Sequence, residues 1–387
     1  MPSIPFNNTQ VAFEHKSNAD LKKAHWLFKS FKYPLLIKYG PVLANAFIGI
    51  IPGVKSIIKN TVFAQFCGGE SINDCDHTIK VLSDSSIGTI LDYSVEGEDD
   101  ESEFDYTYKE IILTIEKAEK NRKDIPFCVF KTTGIGSIDL LEKVNNGESL
   151  KVAEQQAYDR IKDRFESICK KAHDADIPVF VDAEDSWIQD VIDDLTYQAM
   201  VKYNTKKAIV FNTIQCYRTH RVDHMREKLK SLSCFIGLKL VRGAYMEKER
   251  ERAEKLGKIS PIHKTKADTD AEYNNALRFC VEHIERVSFC AGTHNEESVQ
   301  ILADLLEKNN IETTHPHVSF AQLLGMSDHI SFNLAKLNYN VAKYVPYGPV
   351  KSVMPYLSRR AQENSSVKGQ VGRELNLIKI ELERRSK

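Results

Sequence analysis

Apolar residues follow one pattern before about residue 85 and another after it. After a loose arm at residues 1–20, residues 20–85 show apolar positions at helical spacing and no strand-like run. From residue 87 onward, short runs rich in Val, Ile and Phe recur, each followed by a longer stretch of helical periodicity. The strand-like runs are Ile87–Ser94, Pro126–Thr133, Pro178–Glu184, Ala208–Gln215, Phe235–Tyr245, Val287–Asn295, Thr314–Phe320 and Ala342–Gly348.

These runs predict eight parallel strands that are buried on both faces. Such strands have continuous apolar sequences, and the helices between them supply the crossovers that parallel pairing requires. Eight consecutive βα units are typical of a (βα)8 TIM-type barrel. An open doubly wound sheet would carry GxGxxG after its first strand, but only the fragment TGIGS is present, which we interpret as a turn. We therefore predict an α/β (βα)8 barrel over residues 86–366, an N-terminal helical arm over residues 1–85 and a C-terminal helical tail over residues 367–387.

Composition excludes several classes of protein. Lys and Arg number 53 and Asp and Glu 54, so the formal net charge is −1 and nucleic acid is not expected as the main partner. The 42% hydrophobic fraction excludes wholesale disorder. Eight cysteines are scattered without a CxxC pair, which predicts free thiols in a reducing compartment rather than a disulfide framework or a zinc site.

Two segments bear on targeting and on membranes. The first 20 residues lack an apolar signal core, and the first arginine is Arg122, so we expect no targeting segment in this chain. The apolar region Pro34–Ile58 is broken by lysines, glycines and prolines, so it lacks the run of about 20 apolar residues that a spanning helix needs. We predict helices packed on the body, with contact to a membrane surface as the alternative.

Polar residues collect where the predicted strands end. In a (βα)8 barrel, chemistry takes place at the carboxyl ends of the strands. Any single residue there can have a structural role, but the whole set exceeds what a structural rim needs. The residues are Asp92, Glu96, Lys131, Asp182, Glu184, Gln215, Lys239, Arg242, Tyr245, Thr293, His294, Asn295, His315, His317, Gln322 and Tyr344.

The segment PYLSRRAQEN follows the eighth strand-like run. On a helix, Tyr356, Arg359, Arg360 and Glu363 share one face. Two adjacent guanidinium groups form a planar, permanently charged receptor for a carboxylate or a phosphate. The alternative is a solvated basic face paired with Glu363. Pro355 interrupts any helix that begins earlier, so it predicts a new helical turn at this point.

The segment KLVRGAY ends the fifth run with two cations, a glycine and a tyrosine. Gly243 would let the backbone approach a flat ligand, and Lys239 would either reach an electron-rich ring atom or form a Schiff base. An ordinary strand end capped by salt bridges is the structural alternative.

Other short motifs are less specific. GTHN at residues 292–295 suits either a phosphate at a helix N-terminus or a plain helix cap. The pairs His220/His224 and His315/His317 lack a third ligand at diagnostic spacing, so we predict no metal site. The acidic run EGEDDESE is interpreted as a solvated loop, of which only its first residue, Glu96, lies near a strand end.

Together, LVRGAY, YLSRRAQEN, THN and VDAE make the sequence resemble the proline dehydrogenases. The resemblance extends from about Ile87 to Ser366, with the motifs in the same order and at the same spacing. Lys239 stands where bacterial relatives tend to carry arginine, so the chain is most similar to the monofunctional, eukaryotic, mitochondrial type.

The resemblance implies a fold, a cofactor and a reaction. The fold is a distorted (βα)8 barrel that holds FAD noncovalently. The reaction oxidises L-proline to Δ1-pyrroline-5-carboxylate by hydride transfer from C5 to flavin N5, and ubiquinone in a membrane accepts the electrons. The implied location is the matrix side of the mitochondrial inner membrane, with peripheral membrane contact. Hydride loss requires a neutral ring nitrogen, so activity should rise with pH.

The resemblance also assigns roles to individual residues. Arg359 and Arg360 would bind the proline carboxylate with help from Lys131, and Glu96 would pair with Arg359 to close the site. Leu323, Tyr344 and Tyr356 would surround the pyrrolidine ring. Asp182 would be both a catalytic and a cofactor-binding residue. The flavin would be lined by Asp182, Ala183, Gln215, Lys239, Val241, Gly243, Ala244, Tyr245, Thr293, His294, Asn295 and Glu363.

Two departures and three alternatives accompany these expectations. The acidic stretch after Glu96 is long, and Met246 stands where bacterial relatives often have an aromatic residue.

Three functions are alternatives to the oxidation of L-proline. A hydroxyproline-preferring enzyme of the same family is one alternative. A Schiff-base lyase of the same barrel class, using Lys131 or Lys239, is the second. A membrane-docked scaffold without catalysis is the third.

Overall fold

The described residues include eight parallel strands. The computed structural model describes residues 3–33, 40, 50–51, 53–95, 100–366 and 370–387. The strands are β1 Gly88–Tyr93, β2 Phe127–Lys131, β3 Val179–Asp182, β4 Val210–Gln215, β5 Ile236–Val241, β6 Val287–Gly292, β7 Val318–Leu323 and β8 Val341–Tyr347. They follow one another in sequence order around a closed barrel. The predicted (βα)8 barrel is confirmed.

Helices precede, separate and follow the strands. Before β1 lie α1 Thr9–Phe13, α2 Asn18–Ser30, α3 Val54–Ile58, α4 Ala64–Phe66 and α5 Asp76–Asp84. Between the strands lie α6 Glu101–Lys120, α7 Ile138–Asn145, α8 Val152–Asp174, α9 Ser186–Tyr203, α10 Arg221–Ser231, α11 Met246–Lys255, α12 Lys266–Glu282, α13 Glu296–Lys308 and α14 Asp328–Lys336. After β8 lie α15 Met354–Ser366 and α16 Gln370–Arg385. Lys59–Phe63 forms a π-helical turn, and Asn73–Cys75 and Thr132–Gly134 form 3₁₀ turns.

Polar residues start several of these helices in the way their sequences predict. The Ser17 hydroxyl accepts from the backbone N–H of Asp20, whose carboxylate accepts in return from the Ser17 N–H. Thr265 and Asp268 make the same reciprocal pair before α12. Asp100 accepts from the first backbone N–H groups of α6. Each cap satisfies amide groups that the first helical turn leaves without partners.

The seventh strand lies further along the chain than predicted. The apolar run suggested Thr314–Phe320, whereas the strand spans Val318–Leu323. His315 and His317 therefore precede the strand at its amino end, and their placement among the carboxyl-end residues is wrong. A turn occupies this position because Pro316 has no N–H, while the Val318 N–H donates to the His315 carbonyl at 3.0 Å.

Packing divides the chain into two units, the first of which is Glu98–Ala321. Its described part holds β2 to β6 and most of β7. Aromatic side chains from adjacent strands fill the interior: Phe127 and Phe180 stack at 4.7 Å between centroids, and Phe180 meets Phe211 edge to face at 5.3 Å. Neighbouring strands pair in register, so that Lys131 lies opposite Asp182. Side chains at the carboxyl ends of β2 and β3 are thereby brought together.

The second unit combines Ser3–Gly97 with Gln322–Lys387. Here β1 pairs with β8 from Gly88 opposite Ala342 to Tyr93 opposite Tyr347. Its apolar core joins helices from both ends of the sequence, and it includes Phe13, Phe28, Phe66, Val353 and Ile378. The predicted division into arm, barrel and tail at residues 85 and 366 stays a prediction.

The apolar region near the N-terminus is described only in part. Residues 34–39, 41–49 and 52 lie outside the described residues, so the helices predicted for Pro34–Ile58 are seen only at Val54–Ile58. Ile50 and Ile57 expose 73% and 65% of their surface. Among the described helices, none is both long and apolar enough to cross a bilayer.

All eight cysteines are free and buried, which confirms the predicted thiols. Burial raises the pKa of the Cys128 thiol to about 12 and that of Cys290 to about 11. Burial of this kind disfavours the thiolate, which is the reactive form of cysteine.

Candidate active site

A buried ion pair joins the ends of β3 and β5 in the first unit. Lys239 is only 5% exposed, and its ammonium group donates to the Asp182 carboxylate. The same Nζ lies 5.7 Å from the centroid of the Phe180 ring. Lys131, at the end of β2, is partly buried and lies opposite Asp182 in the strand register. The Lys239 ammonium group is therefore held inside the barrel. Its amine, which a Schiff base would need, is bound in the ion pair with Asp182.

A second cluster lies beside it, around Glu184 and Gln215. The buried Glu184 carboxylate accepts from the Thr133 N–H at 3.0 Å and from the Thr133 hydroxyl. The Gln215 Nε2 donates to the Glu184 carbonyl at 3.0 Å. Among the described residues, the buried Gln215 Oε1 has no hydrogen-bond partner. A buried acceptor of this kind needs an N–H or O–H donor from a ligand or a water molecule.

Glu184 should make the stability of the protein depend on pH. Burial raises the pKa of its carboxyl from 4.5 to about 7, while the bonds from Thr133 act in the opposite direction. The folded state then holds a proton that the unfolded chain releases, so stability falls as pH rises from 4.5 through 7. Glu184→Gln imitates the protonated acid. It should exceed the wild type by less than about 1 kcal/mol at pH 5 and by about 3 kcal/mol at pH 8.

Urea unfolding at both pH values measures this effect. Glu254→Gln, at an exposed position on α11, is the control. It should leave the free energy of unfolding unchanged at both pH values. A difference between Glu184→Gln and the wild type that is the same at pH 5 and pH 8 would contradict the assignment.

Arg242 connects β5 to the segment after β6. Its guanidinium donates to Asp270 at 2.6 Å, to the Thr293 hydroxyl at 2.8 Å and to the Ser298 hydroxyl at 2.9 Å. Its Cζ lies 4.5 Å from the centroid of the Tyr273 ring. Arg242 thus fixes the position of Thr293, a predicted cofactor residue. Sequence reasoning noted the arginine at a strand end but gave it no role.

Asn295 caps α13. Its Oδ1 accepts from the Ser298 N–H at 2.9 Å, and its own N–H donates to the Thr293 hydroxyl at 3.1 Å. The helix begins with Glu296 and Glu297. Two acidic residues in the first turn oppose the attraction of a helix N-terminus for a phosphate. The cap is therefore the role that the described contacts support for Asn295.

Gly243 adopts φ +120°, a conformation that side-chain-bearing residues rarely take. A Cβ at this position would lie 2.6 Å from ring carbons of Tyr217, so the close approach that requires glycine is to Tyr217. Gly243 and Ala244 are exposed, whereas Val241 and Tyr245 are partly buried. Ala183 and His294, at the ends of β3 and β6, are also partly buried.

Helix α15, in the second unit, carries the predicted arginine pair. The helix begins at Met354, so Pro355 lies in its first turn, as predicted. Arg360 is only 8% exposed, and its Cζ lies 5.0 Å from the centroid of the buried Tyr356 ring. Arg359 is partly buried. A solvated basic face would leave these guanidinium groups in water, which the burial of Arg360 contradicts.

The two other predicted substrate residues of this unit, Leu323 and Tyr344, lie on β7 and β8. Tyr344 is buried, and its carbonyl accepts from the Leu324 N–H at 2.8 Å. Leu323 is partly buried and packs against the apolar core of the unit. Beside Tyr344, Lys343 is 1% exposed and donates to the carbonyls of Met326 and Leu323.

The structure brings the predicted residues together in two groups. Lys131, Asp182, Gln215 and Lys239 share adjacent strand ends in the first unit, and Leu323, Tyr344, Tyr356, Arg359 and Arg360 belong to the second. Glu96 and the Glu363 side chain lie outside the described residues.

Several residues that hold the predicted site residues in position were not predicted from the sequence. Sequence reasoning gave no role to Arg242, Thr133 or Lys343, because their partners are distant in sequence. Within the described ranges, no cluster of three or more His, Cys, Asp and Glu side chains could hold a metal ion. His224 instead contacts the Tyr197 hydroxyl at 2.9 Å, and His317 contacts the Ile284 carbonyl at 2.7 Å.

Solved structures share the fold. Proline utilization A from Bdellovibrio bacteriovorus superposes with a TM-score of 0.80 over 95% of this chain at 19% sequence identity. The same protein from Bradyrhizobium japonicum gives 0.68 over 82% at 18% identity. This chain spans 41% of the first of those proteins and 33% of the second.

Sequence comparisons cover most of the chain. Proline dehydrogenase 1, mitochondrial, from Dictyostelium discoideum is 32% identical over 98% of this chain and 74% of its own length. The protein of the same name from Arabidopsis thaliana is 30% identical over 99% and 90%. The carbapenem antibiotics biosynthesis protein CarD of Pectobacterium carotovorum is 32% identical over 83% of each chain. The proline dehydrogenase family model matches residues 75–373. This chain belongs to the proline dehydrogenase family.

Proposed function

We propose that the protein oxidises L-proline to Δ1-pyrroline-5-carboxylate. The observation that carries the proposal is the buried Arg360 guanidinium beside Tyr356, in a chain of the proline dehydrogenase family. A guanidinium group binds a carboxylate through charge-assisted hydrogen bonds, and a small amino acid offers such a carboxylate.

The arginines would orient the substrate. Two neighbouring guanidinium groups bind a carboxylate through parallel N–H···O bonds, which fix the plane of the acid group as well as its position. Leu323, Tyr344 and Tyr356 would exclude water from the pyrrolidine ring. Holding the ring in one orientation removes much of the entropic barrier to hydride transfer.

FAD is the proposed cofactor, and the first unit offers groups that fit it. The buried Gln215 Oε1, which has no partner among the described residues, can accept from a flavin N–H. The Lys239 cation favours negative charge on a reduced ring system. Asp182, Ala183, Val241, Gly243, Ala244, Tyr245, Thr293, His294 and Asn295 are proposed to complete the part of the binding site that this unit supplies. When bound, FAD supplies a two-electron hydride acceptor.

Ubiquinone is the proposed electron acceptor, and peripheral membrane contact is proposed on the matrix side of the mitochondrial inner membrane. Trp26 on α2 is 76% exposed, and the exposed Ile50 and Ile57 belong to the same unit. Exposed aromatic and aliphatic side chains of this kind favour the interfacial region of a bilayer. The relatives from Dictyostelium and Arabidopsis are named mitochondrial.

The absorption spectrum of the purified protein tests the reaction and the cofactor. We expect a yellow protein whose flavin bands bleach when L-proline is added without oxygen, at a rate that rises with pH as the substrate amine loses its proton. A colourless preparation, or flavin bands that L-proline leaves unchanged, would contradict the proposal. Bleaching with hydroxyproline at higher kcat/KM would favour the hydroxyproline alternative. Borohydride trapping of a substrate on Lys131 or Lys239 would favour the lyase.

A further inference from the structure

Three charged side chains from distant parts of the sequence meet inside the second unit. Asp328, at the start of α14, is 4% exposed and lies between two lysines. Its Oδ1 is 2.8 Å from Lys343 Nζ, and its Oδ2 is 2.7 Å from Lys16 Nζ. Burial alone would raise the pKa of the Asp328 carboxyl, yet the charges of Lys16 and Lys343 hold it well below its usual range. We call Lys16, Asp328 and Lys343 the buried triad.

The triad fixes the loop that follows β7. Lys343 Nζ donates to the Met326 carbonyl at 2.8 Å and to the Leu323 carbonyl at 3.3 Å. The loop carries Ser327 at φ 51° and Gly325 at φ 74°, both in the left-handed region. A Cβ on Gly325 would lie 1.9 Å from the Gln65 carbonyl oxygen, so the loop has no room to shift towards that segment. The loop therefore adopts one conformation that its surroundings determine.

Further bonds hold the loop on its other sides. The Ser327 N–H donates to the buried Glu374 carboxylate at 2.6 Å, and Gln65 Nε2 donates to the Gly325 carbonyl at 2.7 Å. The Leu324 N–H donates to the Tyr344 carbonyl at 2.8 Å. The loop is thus attached to β8, to α16 and to the segment before β1.

The lysine from the N-terminal segment is itself held in place. Arg385, in the last turn of α16, donates to the Lys16 carbonyl at 2.7 Å and to the Phe13 carbonyl at 2.8 Å. The fully buried Glu381 carboxylate accepts from the same arginine at 2.7 Å. A continuous set of polar contacts therefore leads from Glu381 through Lys16 to Asp328.

The loop after β7 is hydrogen-bonded beside two residues whose side chains line the proposed substrate site. Leu323 is the last residue of β7, and its carbonyl accepts from Lys343; Tyr344 follows Lys343 on β8. We infer that Lys16 is a positioning residue, which acts through Asp328 and Lys343 to hold Leu323 and Tyr344 at the separation that proline binding requires. This inference rests on the proposed function, because those two side chains are substrate contacts only if the protein binds proline.

Lys16→Met tests the inference. The variant keeps the Asp328–Lys343 pair, and Lys16 is at the edge of the cluster with 18% of its side chain exposed, so the fold should be retained. Lys16→Arg keeps the charge and should behave like the wild type. Lys22→Met, at an exposed lysine of α2, is the matched control.

Hydrogen exchange of the purified protein gives the first readout. In Lys16→Met, the peptide covering residues 323–328, which contains the Leu324 and Ser327 amides, should exchange about tenfold faster than in the wild type. Lys16→Arg and Lys22→Met should leave that rate unchanged. Unchanged exchange in Lys16→Met would overturn the inference.

Steady-state oxidation of L-proline gives the second readout. Lys16→Met should raise KM about tenfold, with kcat changed less than about twofold and flavin absorbance unchanged, because the substrate walls are misplaced while the cofactor side is intact. Faster exchange with an unchanged KM would also overturn the inference. If the wild type itself does not oxidise L-proline, the proposed function fails, and the exchange data alone then decide whether Lys16 positions Leu323 and Tyr344.

Discussion

Replacing Arg359 or Arg360 with methionine should raise the Michaelis constant for L-proline about a hundredfold while flavin remains bound. Methionine keeps most of the apolar contact of the arginine stem and removes the charged fork. The loss of a charge-assisted, desolvated pair costs about 2–5 kcal/mol, and each 1.4 kcal/mol is a factor of ten in affinity. Arg360 should show the larger effect because its guanidinium is the more deeply buried.

Arg226→Met is a suitable control for this prediction. Arg226 is an exposed residue of α10 that pairs with Asp223 at 3.0 Å on the surface. Its loss should therefore alter neither KM nor kcat for L-proline. Steady-state rates and the flavin absorbance of each variant make the comparison. An unchanged Michaelis constant in both arginine variants would refute the carboxylate-binding role, even if the protein proves to be a flavoenzyme.

Asp328→Asn should lower the free energy of unfolding by about 3–5 kcal/mol, which is the cost of removing one partner from a buried ion pair. Lys343 is 1% exposed, so without the carboxylate its ammonium group remains buried with carbonyl acceptors alone. Charges in the interior are tolerated only when they are paired. Urea unfolding at pH 7.5 measures the loss.

Two further variants separate this effect from a general loss of an acidic residue. Asp223→Asn removes an exposed carboxylate and should change stability by less than about 0.5 kcal/mol. The double variant Asp328→Asn/Lys343→Met removes the stranded cation and should recover part of the lost stability. Stability of Asp328→Asn within about 1 kcal/mol of the wild type would contradict the importance of the triad.

Sequence patterns predict the barrel well because burial on both faces leaves a strong signal. Strands such as Val179–Asp182 and Val287–Gly292 lie within continuous apolar runs, since every side chain of a parallel strand faces the interior or a helix. The seventh strand is the exception. There the polar turn around Pro316 precedes the strand, and an apolar run cannot distinguish the turn from the strand start.

The candidate site is predicted where its residues are close in sequence. Tyr356 and Arg360 are four residues apart, so helical spacing alone places them on one face. Arg242, Lys343 and Asp328 have partners from other elements, and nothing local in the sequence indicates them. Lys343 lies within an apolar strand, and Asp328 looks like an ordinary acidic residue in a first helical turn. Their roles depend on tertiary packing.

The bonds from Arg385 to the carbonyls of Phe13 and Lys16 have a consequence for how the protein is made. The contact with Phe13 spans 372 residues of sequence. During synthesis on the ribosome, the segment around Phe13 therefore cannot complete these contacts until Arg385 has emerged. Contacts of such long range slow folding and prolong exposure to aggregation.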